Sequence, residues 1–127
     1  MPDAPMSAEV IAGQVHAALG AGDLSAFSHL LSPDVTWGAP DAKQPTCRNR
    51  EQVMDWYRRG WESGTRARVV EVSVHGDDLL VGMMVERDGA QGERWQVLRV
   101  GALGVTDIRG FEDRRSAEAR CEVSPAR

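Results

Sequence analysis

Near residue 65 the spacing of apolar side chains changes from helical to alternating, and it does not change back. Before that point the chain predicts helices. Ile11, Val15, Ala18 and Leu19 recur at helical spacing over residues 9–20, and Gly20 and Gly22 break the pattern. Asp23 opens a second helix, residues 24–31, whose stripe is Leu24, Phe27, Leu30 and Leu31, and Ser32-Pro33-Asp34 stops it. Val35-Thr36-Trp37 reads as a short strand ending at Gly38-Ala39-Pro40. A third helix is expected over residues 50–62, with Asn49 as cap, Gln52 as its capping-box partner, and Val53, Trp56, Tyr57 and Trp61 as the apolar stripe. Gly64 ends it.

Beyond the switch the period is two. Val70, Val72 and Val74 alternate with Glu71, Ser73 and His75, and Gly76-Asp77-Asp78 turns the chain. Leu79–Val85 is apolar on both faces, the mark of a strand covered on both sides. After a loop at residues 88–92, Trp95, Val97 and Arg99 alternate with Gln96, Leu98 and Val100. Gly101-Ala102-Leu103-Gly104 makes the next turn, and Val105–Phe111 closes the series. Strands joined by tight turns pair antiparallel, and helices segregated before them can cover one face. The fold class is therefore α+β: a curved, mostly antiparallel sheet with three N-terminal-half helices on its concave face, enclosing a cone open at one end.

A chain of 127 residues with 42% hydrophobic content is expected to form one domain. Its core spans about residues 8–115, with loose ends at residues 1–7 and from about Ala117 onward. A net charge of −4 argues against nucleic acid, whose phosphates require a basic surface. Cys47 and Cys121 lie far apart and outside any Cys-x-x-Cys pair, so neither a disulfide framework nor a zinc site is expected. No metal and no cofactor is called for. No apolar run approaches a membrane span, and Met1–Ala8 lacks the order of a signal peptide, so the chain reads as cytoplasmic with no membrane partner.

The element order, together with "ALGAGDLSAFSHLLSPDVTW", the helix "NREQVMDWYRRG" and the closing "GVTDIRGFED", resembles the NTF2-like superfamily in its SnoaL-like branch. That branch includes polyketide cyclases and is close to ketosteroid isomerases and limonene epoxide hydrolases. The resemblance implies a cone-shaped fold with a hollow centre. In the isomerases an aspartate at the end of the first strand moves a proton, while a tyrosine on the first helix and a protonated aspartic acid on a late strand hold the oxyanion. These positions fall here on Ala39, Val15 and Trp95, all apolar. Tyr57 falls where those isomerases keep a supporting tyrosine. Isomerisation by that mechanism is not expected.

What remains is a pocket for a small apolar molecule, polyketide-, steroid- or terpenoid-like. Val15, Phe27, Val35, Trp37, Ala39, Trp56, Tyr57, Trp61, Trp95 and Val97 are candidates for its wall. Each could equally be plain core filling, since aromatic stripes at helical spacing mainly report burial. Arg99 shares the parity of Trp95 and Val97, and a guanidinium drawn inward needs a carboxylate, for which Glu112 and Asp113 are the nearest candidates. Tyr57, Arg99 and Glu112 thus form a candidate set for orienting a ligand or for a cyclase or isomerase. The bland reading is a structural ion pair.

An epoxide-hydrolase reading rests on Asp107-Ile108-Arg109, whose order is the reverse of the Arg-x-Asp pair in those relatives and whose parity places it on the outer sheet face, as a salt-bridge ladder. His16 and His29 read as solvated. Cys47, flanked by Arg48 and Arg50, sits where positive charge lowers a thiol pKa. Leu98 and Val100, with one parity of Leu80, Met83 and Met84, are expected on the outer face, and related proteins commonly dimerise there, so a homodimer through that face is expected. A non-catalytic interaction module on the same scaffold is the remaining alternative.

Overall fold

The computed structural model describes residues 7–39 and 43–123. The expectations for residues 1–6, for Pro40 and for the last four residues lie outside them. Four helices and five strands follow one another as α1 (Ala8–Gly20), α2 (Leu24–Ser28), β1 (Leu31–Gly38), α3 (Arg50–Glu62), β2 (Arg66–His75), β3 (Asp78–Arg87), β4 (Ala90–Gly101), β5 (Gly104–Phe111) and α4 (Arg114–Val123). The caps are those the residue types require. Ser7, Asp23 and Asn49 each accept a backbone N–H from the first turn of α1, α2 and α3, and the Gln52 side chain accepts from the backbone N–H of Arg48.

The sheet order is β1-β5-β4-β3-β2, antiparallel throughout except that β1 runs parallel to β5. Asp88 and Gly89, both at positive φ, make a two-residue hairpin between β3 and β4, so β4 begins at Ala90 and the loop expected through residue 92 is strand. Register shifts at Val69/Glu71 and Arg99/Val100 insert extra residues that bend the strands, the source of the sheet's curvature.

Two further boundaries differ from the sequence reading. The second helix is one short turn, and β1 begins at Leu31 instead of Val35. Val105 donates its N–H to the carbonyl of Leu30 at 2.9 Å, capturing the chain into the sheet before Pro33. Gly104 (φ 112°) sits against that backbone, so closely that a Cβ there would collide with the Leu30 carbonyl. The tail from Ala117 is also not loose. Asp113 caps α4 through Ser116 (2.8 Å), and Ala117 and Cys121, one turn apart, face the sheet.

α1, α2 and α3 cover the concave face, as expected. Ile11, Val15, Phe27, Val35 and Val53 meet Leu79, Val81, Leu98, Val105 and Ile108 there in the main core. α4 covers the opposite face, where Ala117 and Cys121 close over Leu80, Trp95, Val97 and Phe111. β3 is thus buried on both sides, which its unbroken apolar run demands.

Candidate functional site

The sheet register decides which side chains share a face. Trp37 pairs with Ile108, Leu98 with Ile108, and Gln96 with Gly110, so Trp37, Gln96 and Leu98 stand on the concave side. Trp95, Val97 and Arg99 stand on the other, alongside Asp107, Arg109 and Phe111. This inverts the expected parity of β4. Trp95 and Val97 are floor for α4, not wall for a concave pocket. The physical cause is a pair of facing residues: the Trp95 ring lies flat across Gly82, its partner on β3, where a Cβ would stand 2.8 Å from Trp95 Cε3.

Arg99 follows the same parity, and its carboxylate is not Glu112. It donates from Nε to Asp78 Oδ1 at 3.0 Å and from a terminal nitrogen to Oδ2 at 3.3 Å, directly across the β3–β4 pair. Asp78 is buried, whereas Glu112 is exposed. The set Tyr57, Arg99 and Glu112 therefore does not converge, because the sheet separates Arg99 from Tyr57. The same inversion moves two residues of the expected outer patch: Leu98 and Val100 are in the main core, and α4 packs on the outer face over Leu80, Trp95, Val97 and Phe111. The Asp107–Arg109 pair does lie on the outer face (3.0 Å), with the Thr36 hydroxyl donating to Asp107 at 2.6 Å and Arg109 donating to the carbonyl of Ala39 at 3.0 Å.

On the concave side a compact polar and aromatic group remains. α3 presents Tyr57 inward, and its hydroxyl donates to Gln96 Oε1 at 3.1 Å. The Tyr57 ring meets Phe27 edge to face, with centroids 5.4 Å apart. One residue back, Trp56 tilts over Trp37 at 5.0 Å. The backbone of Trp37 is tied to Cys47, exchanging N–H···O bonds of 3.0 Å both ways, which brings the Cys47 thiol into the same wall. Trp56 and Trp61 are 47% and 51% exposed and form the outer rim, where the Arg66 guanidinium lies 3.4 Å over the Trp61 ring. Val15 and Phe27 are fully buried and fill the core beneath, and Ala39 is exposed at the end of β1.

Burial pushes the Tyr57 hydroxyl up to about 12; the Gln96 bond acts the other way, and the nearby Cys47 adds to the rise. Burial also raises the Cys47 thiol, and the lowering charge is Arg59, not the adjacent Arg48 and Arg50. The lowering that the flanking Arg48 and Arg50 suggested is therefore not realised, because burial dominates. Among the described residues the buried charged and polar side chains are Asp78 and Ser32, and neither stands in this group. The concave wall can stack, donate and accept hydrogen bonds, but it holds no described carboxylate with which to move a proton.

Gln96 and Cys47 are the wall residues that sequence reasoning missed. Gln96 was readable only through the parity of β4, and both faces of that strand are covered. Two grooves lie outside the cone, one of about 650 Å³ between α2 and α3 (Leu24, Ser28, His29, Arg50, Met54) and one of about 450 Å³ beside α1 (Gln14, Ala18, Leu30). No helix among the described residues is long and apolar enough to cross a membrane.

A curved five-stranded sheet with three helices on its concave side defines the class as an NTF2-like, cystatin-like α+β protein. Solved structures share the fold: a protein of unknown function with cystatin-like fold from Xanthomonas campestris (TM-score 0.69, 19% identity, covering 91% of this chain and 98% of that one), a proposed polyketide cyclase from Pseudomonas putida KT2440 (0.66, 15%, 85% and 92%), and a proposed ketosteroid isomerase from Kribbella flavida DSM 17836 (0.69, 15%, 84% and 77%). The SnoaL-like domain model matches residues 12–118, and the chain belongs to that family. No curated protein matches it in sequence.

Proposed function

We propose that this protein binds a flat, largely apolar small molecule, polyketide-, steroid- or terpenoid-like, against the concave wall formed by Trp37, Trp56, Tyr57 and Gln96, without the acid–base set of the isomerases. The observation that carries this reading is chemical. The wall combines one edge-to-face and one tilted pair of aromatic rings with one amide and one phenol, and the described residues bring no carboxylate to it. Ala39, where the isomerase base would stand, has no titratable group. The similarity to proposed cyclases and isomerases supports a small-molecule ligand. A cyclase or isomerase working through Tyr57, Arg99 and Glu112 together is not supported, because the three do not share a face.

Saturation-transfer NMR with a panel of steroids, aromatic polyketides and terpenoids tests this. At least one class gives transfer, and Tyr57→Phe with Gln96→Leu weakens it about tenfold or more, the size expected for a lost buried hydrogen-bonded pair. Arg99→Leu, on the other sheet face, leaves it unchanged. Absence of transfer from every class, or loss only in Arg99→Leu, would overturn the proposal. Turnover of a bound compound, followed by mass spectrometry, would make the protein an enzyme by some other chemistry.

A further inference from the structure

Among the described residues, one buried side-chain nitrogen or oxygen has no hydrogen-bond partner: the indole Nε1 of Trp37. It belongs to the concave wall. An indole nitrogen can only donate, and a donor buried without an acceptor forfeits the hydrogen bond that it made to water. Trp95, which is buried as a whole residue, shows the usual solution, donating to the Glu93 carboxylate. A cost left standing at a wall residue is the kind a ligand repays.

The neighbours of Trp37 fit a ligand that completes this bond. The ring tilted against it, Trp56, is half exposed, so moving it aside forfeits little buried surface. Gln96, two strands away on the same face, uses its carbonyl oxygen for Tyr57, and no described acceptor takes its amide hydrogens. Both groups are therefore neutral donors. Burial raises both the Tyr57 hydroxyl and the Cys47 thiol, the desolvation cost that an anion meets against this wall, while Arg59 acts the other way on Cys47.

We propose that the Trp37 indole N–H is the specificity-determining donor of this site, selecting neutral flat ligands that carry a ketone or quinone oxygen over hydrocarbons of the same shape and over carboxylates. This rests on the binding function proposed above and names its ligand class.

Two probes of nearly identical shape separate the ideas: 9-fluorenone, which has the carbonyl, and fluorene, which has a methylene in its place. Affinities come from equilibrium dialysis, and the Trp37 indole signal is followed in ¹⁵N-labelled protein and assigned through its own side-chain NOEs. Fluorenone is expected to bind about tenfold more tightly than fluorene and to move the Trp37 indole proton downfield, as one added buried hydrogen bond implies. In Trp37→Phe the ratio of the two affinities falls to near unity. 9-Fluorenone-4-carboxylate binds more weakly than fluorenone. Equal affinities in the native protein, or a preference that survives Trp37→Phe, overturns the donor role and leaves the binding function standing. Binding of neither probe by folded protein overturns both for tricyclic ligands. If Trp37→Phe does not fold, the indole shift in the native protein decides: movement with fluorenone and not fluorene supports the role, and movement with both or neither overturns it.

Discussion

Tyr57 is the chain's single tyrosine, and its surroundings make its ionisation a reporter of the concave wall. Burial holds its hydroxyl protonated up to about 12, against an ordinary value near 10. The native state therefore keeps a proton that the unfolded chain releases, and this contribution is complete below pH 10 and lost as pH rises through 12. The phenolate absorbance should appear with a midpoint well above 10 while the fold persists. Native stability, measured by urea unfolding, should fall more steeply between pH 10 and 12 than that of Tyr57→Phe. An ordinary midpoint would mean that the hydroxyl faces water and that the wall is open at Gln96. The polar network at this scale was only half legible. Tyr57 stood out on a helical stripe, but Gln96 bonds to it from 39 residues away, and nothing local to either marks the other.

At the scale of elements, the informative case is the β3–β4 pair. Gly82 breaks an otherwise apolar strand, and its purpose becomes visible only with Trp95 laid across it. A methyl group at this position would force the ring out from under α4, and the ring is not free to yield, being held by the Glu93 carboxylate and packed against Ala117 and Cys121. Gly82→Ala should therefore destabilise the protein by about 1–3 kcal/mol, the usual cost of overpacking. Gly92→Ala on β4 meets nothing within 4 Å and should change stability little. Thermal unfolding of the two variants checks this, and equal melting temperatures would contradict the packing. The helices at this scale were well marked: α3 falls on its expected residues because cap, stripe and terminating glycine agree. α4 was missed although Asp113, Ala117 and Cys121 carry a cap and a one-turn stripe, because two small apolar residues in a highly charged segment give too weak a periodic signal.

For the molecule as a whole, α4 decides what the outer face can do. It buries Leu80, Trp95, Val97 and Phe111 with small side chains, and its rim is held by Arg114, which reaches Glu71 at 2.8 Å and Glu118 at 2.8 Å. These ion pairs are substantially exposed and screened by water, so they contribute little and the apolar floor is covered lightly. A chain ending at Asp113 should expose that floor and self-associate, seen by light scattering as a mass at least double that of full-length protein at equal concentration. A truncated chain that keeps the full-length assembly state would show that the face is not adhesive. If the full-length protein pairs through its outer face, it does so across α4 or by displacing it, because Leu98 and Val100 of the expected patch are in the main core.

Residues near one another in the chain were enough to set the order and type of the elements from α1 to β5, the helical covering of one sheet face and the absence of a titratable group at Ala39. These follow from periodicity, capping and turn chemistry, which act between residues close in the chain. The folded sheet was needed to set which face of β4 looks inward, to pair Arg99 with Asp78 instead of Glu112, and to leave the Trp37 indole nitrogen buried without an acceptor. A strand covered on both sides has no polar face to reveal its parity. Its orientation is set instead by distant partners, a glycine on one neighbour and a helix beyond the last strand, and such pairings form only when the sheet closes.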